Sequence, residues 1–172
     1  MDSFDLQILR ELQANAEISM QELGEKVGLS HTPCWRRVKK LEEQGVIRHR
    51  VTLLDPQRLN LAVNVFVQVS LGVQQEEALN AFEAAVQSIP EIVECYTVSG
   101  DRDFLLRVVV EDVTAYERLL KSTLVHLPEV ANMSSTFALR QVKYTTELPL
   151  GSSQLPLGSS QLPLGSSQLP SG

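Results

Sequence analysis

Residues 18–47 read ISMQELGEKVGLSHTPCWRRVKKLEEQGVI. Ser19 and Glu22 stand three apart at the start of this stretch, the spacing of a capping box. The serine hydroxyl accepts from the amide three residues on, and the glutamate reaches back. A short helix therefore begins after Ser19, and Gly28 ends it in the left-handed conformation that glycine adopts without steric cost. Ser30 is the cap of a further helix. Pro33 falls in its first turn, where a missing N–H does no harm, and Gly45 terminates it after about Gln44. Upstream, Phe4, Ile8, Leu9 and Leu12 follow helical spacing and predict an amphipathic helix before the pair. Three helices with a tight Gly-Leu-Ser turn between the last two make a helix-turn-helix.

The last of these helices is two-faced. Cys34, Val38 and Leu41 share one side and are expected in the core. Thr32, Arg36, Lys39 and Lys40 lie opposite, with Trp35 at the flank. From His31 to Arg50 there are six basic residues (Arg36, Arg37, Lys39, Lys40, Arg48 and Arg50) against two acids, Glu42 and Glu43, while the whole chain carries a formal charge of −6. Basic residues near a helix C-terminus also complement the helix dipole. The capped turn and the separation of faces favour a different partner, the phosphates of double-stranded DNA, with the helix in a major groove. Thr32, Trp35 and Arg36 would face base edges or the adjacent sugar, and Arg36 best suits guanine. Ser30, Arg37, Lys39 and Lys40 would set the position on the backbone, with Pro33 in the same turn. After Gly45, Val46-Ile47 and Val51-Leu53 flank Arg48-His49-Arg50. This reads as a short strand or wing whose arginines reach phosphate.

Asp55-Pro56 turns the chain towards a second pattern. Val63, Val65, Val67, Val69 and Leu71 alternate, so 62–71 is a strand. Residues 75–88 are helical, with Leu79, Phe82 and Val86 on one stripe, and Pro90 stops them. Two β-rich runs, 92–99 and 104–110, flank Gly100-Asp101-Arg102-Asp103 and form a hairpin. Residues 112–126 are helical again, with Tyr116, Leu119, Leu120 and Thr123, and Leu127-Pro128 ends them. A last strand spans 131–146. The order βαββαβ is the split βαβ, ferredoxin-like plan. The fold class is therefore α+β: an N-terminal winged helix-turn-helix domain (1–53), a linker (54–61) and a C-terminal ferredoxin-like domain (62–150).

Beyond it, GSSQLPL occupies 151–157 and 158–164, and GSSQLPS occupies 165–171. Each unit carries Pro and Gly, which a helix interior does not accept, so 151–172 is expected to be disordered.

The totals are those of a globular protein: 172 residues, 43% hydrophobic and 21% charged. No basic start precedes an apolar run, and the most apolar stretch, 59–71, is interrupted by Asn60, Asn64 and Gln68. A signal peptide and a membrane span are therefore not expected, and the cytoplasm is the expected location. Cys34 and Cys95 read as free, buried thiols. The histidines His31, His49 and His126 have no metal-ligand spacing with them, so neither a metal nor a cofactor is expected.

The segments ELGEKVGLSHTPCWRRVKKLEEQGVI, LDPQRLNL, PEIVECYTVSGDRDFLLRVVV and FALRQVKYTTELPL, together with ILRELQANAEIS and YERLL, resemble the Lrp/AsnC, or feast/famine, transcriptional regulators over residues 1–150. That resemblance implies a DNA-binding N-terminal domain. It also implies a C-terminal domain that forms homodimers through its sheets, and an octamer of four dimers. A small amino-acid effector would bind between dimers at the central hairpin turn, here Gly100, Asp101, Arg102 and Asp103, entered through Thr97, Val98 and Ser99. The family's further lining positions correspond to Val113 and to Thr136, Phe137 and Ala138. Some positions depart from the family pattern. Arg48-His49-Arg50 stands where Gly-Tyr is frequent, and Glu129 replaces a frequent glycine. Thr97 and Thr136 stand where leucine-sensing relatives carry larger groups, which leaves small or polar amino acids open.

Taken by themselves, the glycine turn can offer amides to a carboxylate, and Asp101 or Asp103 can receive an ammonium. Aspartates in such a turn also satisfy local amides. A second reading has the helix-turn-helix dock a protein partner instead of DNA. An enzyme is not expected, since no nucleophile, metal set or phosphate loop accompanies the paired aspartates.

Overall fold

The computed structural model describes residues 1–73 and 75–151. The expected disordered tail from Ser152 onward lies outside them. Contacts divide the chain into two compact units. One is Met1–Val51 joined by the chain from Thr145, and the other is Thr52–Tyr144. The chain from Thr145 groups with the first unit because the backbone at 148–150 bonds to the first helix.

In the first unit, α1 spans Ser3–Ala14, α2 Met20–Val27 and α3 His31–Glu43. A capping box of Asp2 and Asp5 starts α1. The expected Ser19–Glu22 box starts α2, with the Glu22 amide donating to the Ser19 hydroxyl at 3.2 Å. Both boxes satisfy amides that a helix N-terminus leaves free. Gly28 ends α2 at φ 72°. Ser30 holds the cap position of α3, yet its hydroxyl makes no capping bond. The third residue of that helix is Pro33, which has no amide to offer it. Gly45, at φ 70°, closes α3, and the Val46 amide reaches back to the Leu41 carbonyl at 3.0 Å.

These helices enclose a core of Ile8, Leu12, Ile18, Leu23, Val27, Cys34, Val38 and Leu41. The expected core face of α3 is thus observed. On α1 the pattern is corrected: Leu6 is buried, whereas Phe4 is 38% exposed. The Phe4 ring lies outside the core, beneath the Arg37 guanidinium. Of the expected strand or wing, the strand is absent among the described residues: 46–53 form none, and Val51 and Leu53 are exposed.

In the second unit, a 3-10 turn at Gln57–Leu59 leads into β1, Val63–Leu71. It continues through α4, Glu76–Val86, then β2, Ile92–Thr97, and β3, Phe104–Val110. Helix α5 is Val113–Ser122, and β4, Val130–Phe137, comes last. The sheet is antiparallel in the order β2-β3-β1-β4, the ferredoxin-like arrangement. The final strand stops at Phe137 instead of reaching 146. Phe137 is opposite Val65 and the Ala138 amide still donates to the Asn64 carbonyl at 2.9 Å, but β1 begins at Val63 and offers no partner as far as 146.

Alternation along β1 sends Val65, Val67, Val69 and Leu71 to the side covered by α4 and α5, where Phe82 stacks on Phe104 at 4.5 Å. Phe66, 39% exposed, and Gln68 point to the other side. That side of the sheet carries no helix, and it decides where a ligand or a second copy can approach.

Candidate functional site

Among the described residues, two regions combine exposure with chemistry. The first is the outward face of α3. Thr32, Trp35, Arg36, Lys39 and Lys40 are all exposed, with Trp35 at 47%. They stand opposite the buried Cys34, Val38 and Leu41, as the 3.6-residue period requires. Lys39 bonds Glu42 at 2.6 Å, and Arg50 lies 3.6 Å from the same carboxylate. Arg36, Lys40 and Arg48 form no ion pair within the described chain. Their charge is carried to solvent.

Arg37 is placed differently from its expected role on phosphate. Its guanidinium bonds Asp2 and Asp5 of α1, both at 2.7 Å, and covers the Phe4 ring at 5.5 Å. These bonds raise the guanidinium pKa still further, the Asp5 bond most. The backbone amide of Asp5, helped by Arg37, holds the Asp2 carboxyl below its ordinary range. Arg37 therefore fastens α3 to α1.

Pattern reading passed over Gly24. A Cβ there would sit 2.6 Å from the Leu29 carbonyl oxygen, and the Leu29 amide donates to the Gly24 carbonyl at 2.8 Å. The turn that aims α3 packs directly on α2 at this glycine. A glycine in mid-helix, four residues before the cap glycine, was the available signal.

The second region is the β2–β3 turn. A cleft of about 470 Å³ is lined by Gln68, Val98, Ser99, Asp101, Arg102 and Leu105. Gln68 and Leu105 are opposite each other on β1 and β3, on the helix-free side of the sheet. Gly100 turns the chain at φ 118°. Asp101 is exposed, and its carbonyl accepts from the Ser70 hydroxyl at 3.3 Å. The Arg102 guanidinium donates to the same hydroxyl at 3.3 Å. Asp103 turns inward. Its carboxylate accepts from the Leu71 amide at 2.8 Å, and its own amide donates to the Val69 carbonyl at 2.9 Å. The side chain is committed to pinning the turn to β1, so of the two aspartates Asp101 is the one presented to the cleft.

The remaining expected effector residues do not line this cleft. Thr97 and Gly100 belong to the same hairpin, but Val113, Thr136, Phe137 and Ala138 do not reach it. Val69 is paired with Phe104 beside the turn, whereas Phe137 is paired with Val65. Four residues of strand separate the two levels, about 13 Å. Phe137 meets Tyr116 edge-on at 5.3 Å, and the Tyr116 and Ser135 hydroxyls are 2.5 Å apart, both on the helix side of the sheet. Burial raises the Tyr116 pKa, against a smaller opposing effect of Ser135. One chain therefore holds the two halves of the expected site at opposite ends of its sheet.

No group of three or more His, Cys, Asp or Glu among the described residues is placed to hold a metal ion, and no described helix is long and apolar enough to cross a membrane.

Two sequence profiles match the chain. One, described as a winged helix-turn-helix DNA-binding domain, covers residues 1–48. The other, described as the Lrp/AsnC ligand binding domain, covers residues 64–148. A glutamate uptake regulatory protein of Zymomonas mobilis is 42% identical over 150 residues, 87% of this chain and 91% of that protein. A leucine-responsive regulatory protein of Haemophilus influenzae is 43% identical, covering 87% and 90%. The crystal structure of an AsnC family transcriptional regulator from Agrobacterium tumefaciens is similar with a TM-score of 0.83 and 50% identity, covering 87% of this chain and 97% of that one. A transcriptional regulator from Neisseria meningitidis, solved in complex with L-Met, gives 0.82 and 37% over the same shares.

Proposed function

Because this chain belongs to the Lrp/AsnC family of DNA-binding transcriptional regulators, we propose that it reads duplex DNA with the outward face of α3 and responds to a small amino acid held at the β2–β3 turn. The observation that carries the first half is the unpaired charge of Arg36, Lys40 and Arg48 beside a buried, opposite face. Arg36, Thr32 and Trp35 address base edges, with Arg36 donating to guanine. Ser30, Lys39, Lys40, Arg48 and Arg50 address phosphate, and Pro33 sets the first turn of the helix among them. Arg37 serves the fold.

In the second half, backbone amides around Gly100 receive the effector carboxylate and Asp101 its ammonium, while Asp103 holds the loop. The cleft at this turn and the L-Met complex of the Neisseria relative support that reading. Val113 and Thr136 to Ala138 complete the pocket from a second copy, since within one chain they are at the far end of the sheet. The helix-free side of the sheet supplies a homodimer face, and four such dimers form the octamer. No enzymatic role is proposed, and a cytoplasmic location follows from DNA as the target.

Selection of binding sites from random duplex DNA, with and without the twenty amino acids, tests the proposal. A two-fold related motif with half-sites about 34 Å apart, or a multiple, is expected. Its enrichment should change with one or a few amino acids. Failure to enrich any motif at low salt rejects sequence reading by α3, and enrichment indifferent to every amino acid rejects the effector.

A further inference from the structure

The described chain ends by returning to α1. Arg10 donates from Nε and Nη2 to the Leu150 carbonyl, at 3.2 and 2.8 Å. The Gln13 carboxamide clasps Leu148 on both sides. Its Nε2 donates to the Leu148 carbonyl at 2.9 Å, and the Leu148 amide donates to its Oε1 at 3.0 Å. Arg10 and Gln13 are three residues apart and so share a face of the helix. The segment they hold is Leu148-Pro149-Leu150, and these four hydrogen bonds are all to its backbone. Leu148 is 67% exposed, whereas Leu150 is partly covered.

That segment opens a repeat. LPLGSSQ runs over 148–154, again over 155–161 and again over 162–168, followed by LPSG. The docked tripeptide thus has identical copies at 155–157 and 162–164. We propose that the Arg10–Gln13 face of α1 is a binding site for extended Leu-Pro-Leu segments, and that the downstream copies exchange with 148–150 on it within the same chain.

Three observations carry this inference. The contacts are to backbone atoms that every copy presents. Proline after the docked Leu148 disfavours helical backbone there, and the same Leu-Pro step recurs in the sequence of each copy. The copies are tethered to the site, which sets their local concentration on the order of millimolar, well above that of another molecule in dilute solution. Exchange forward in the sequence strains nothing. Each step inserts seven further residues between the second unit and the docking point, at most about 23–25 Å of added reach. The tail is then an adjustable tether with discrete settings.

The test uses the full chain with a benzophenone amino acid in place of Ala14, four residues from Arg10 on its face, and mass spectrometry of the photo-cross-links. In the otherwise native chain, cross-links should fall at 147–151 and, in smaller yield, at the later copies. Leu148→Pro removes the amide that Gln13 accepts from. Cross-links should then move to 155–157 and 162–164 with total yield falling less than twofold. The chain carrying Leu148→Pro, Leu155→Pro, Leu162→Pro and Leu169→Pro together should lose at least tenfold. Loss of cross-linking with Leu148→Pro alone overturns the proposal, as does persistence in the fourfold variant. Mixing ¹⁵N-labelled and unlabelled chains decides the route. Links within one isotope support exchange in the same chain, and predominantly mixed links reject it.

Discussion

The two units differ in how much of a working surface one chain contains. In the first, the outward face of α3 is complete: its exposed residues follow one helical period, and the core beneath them comes from the same 51 residues. In the second, the hairpin turn and the group Val113, Thr136, Phe137 and Ala138 occupy opposite ends of one sheet. A DNA-reading helix can be finished by local folding, whereas the effector pocket of the proposed function needs a second copy. On that proposal sensing is tied to assembly, and a ligand that prefers one arrangement of copies shifts the population towards it.

The sharpest way to break the division is to damage one core and watch the other. Phe82 is fully buried against Phe104. Phe82→Ala should cost about 3–5 kcal/mol of the second unit's stability. Hydrogen exchange should show the amides of α3 keeping their protection while those of β1 and β3 lose theirs. Equal loss in both would make the chain one cooperative body.

Gly24→Ala attacks the first unit in turn. The new methyl meets the Leu29 carbonyl at 2.6 Å, and about 1–3 kcal/mol of destabilisation is expected from the forced shift. Thermal unfolding of this unit should drop, and DNA affinity should fall further than stability alone explains, because the turn aims α3.

On the surface of α3, Arg36→Ala should cost about 1–3 kcal/mol at one base position only. Lys40→Ala should weaken all sequences alike and lower the salt slope by about one. Arg37→Ala separates holding from reading. Losing its aspartate and Phe4 contacts should cost about 1 kcal/mol of stability, with the salt slope unchanged. Part of that loss has a pH signature. The Asp2 carboxyl is depressed in the folded chain, so its contribution is present above the ordinary carboxylate range and fades as pH falls through the depressed value. Arg37→Ala should reduce that acid-side dependence and leave the larger part, which the Asp5 amide sets.

The smallest effect lies in the second unit. Glu129 has φ 58°, in the left-handed region, while its carbonyl accepts from the Gly72 amide at 2.8 Å. Glu129→Gly should stabilise by about 0.5–1 kcal/mol in denaturant unfolding.

The legible parts of the fold were those written in local periods. The Ser19–Glu22 box, Gly28, the buried side of α3 and the alternation of β1 each depend on neighbours within a few residues. Less legible was whatever another element decides. Phe4 fits the apolar stripe of α1, but the position of Arg37 across from it turns its ring into a platform. The basic run offers no way to tell Arg36 from Arg37, which point 100° apart, until Asp2 and Asp5 are placed. Residues 46–53 have strand composition and no partner strand, so the composition is not expressed. The effector positions could be named only from resemblance, because no local spacing links the hairpin turn to Val113 and Thr136–Ala138 at the other end of the sheet.

The two thiols fall one in each unit. Cys34 is sealed in the helical core at 0% exposure, and Cys95 is half-buried on β2. Burial pushes both thiols up, with Glu83 adding to the effect at Cys95, so neither reacts readily while folded. Alkylation of Cys34 therefore requires opening of the helical core, whereas the half-buried Cys95 is slowed by its raised pKa, and the two residues lie in different tryptic peptides. A single labelling time course, read peptide by peptide, follows the two halves separately, with the native sequence supplying both probes.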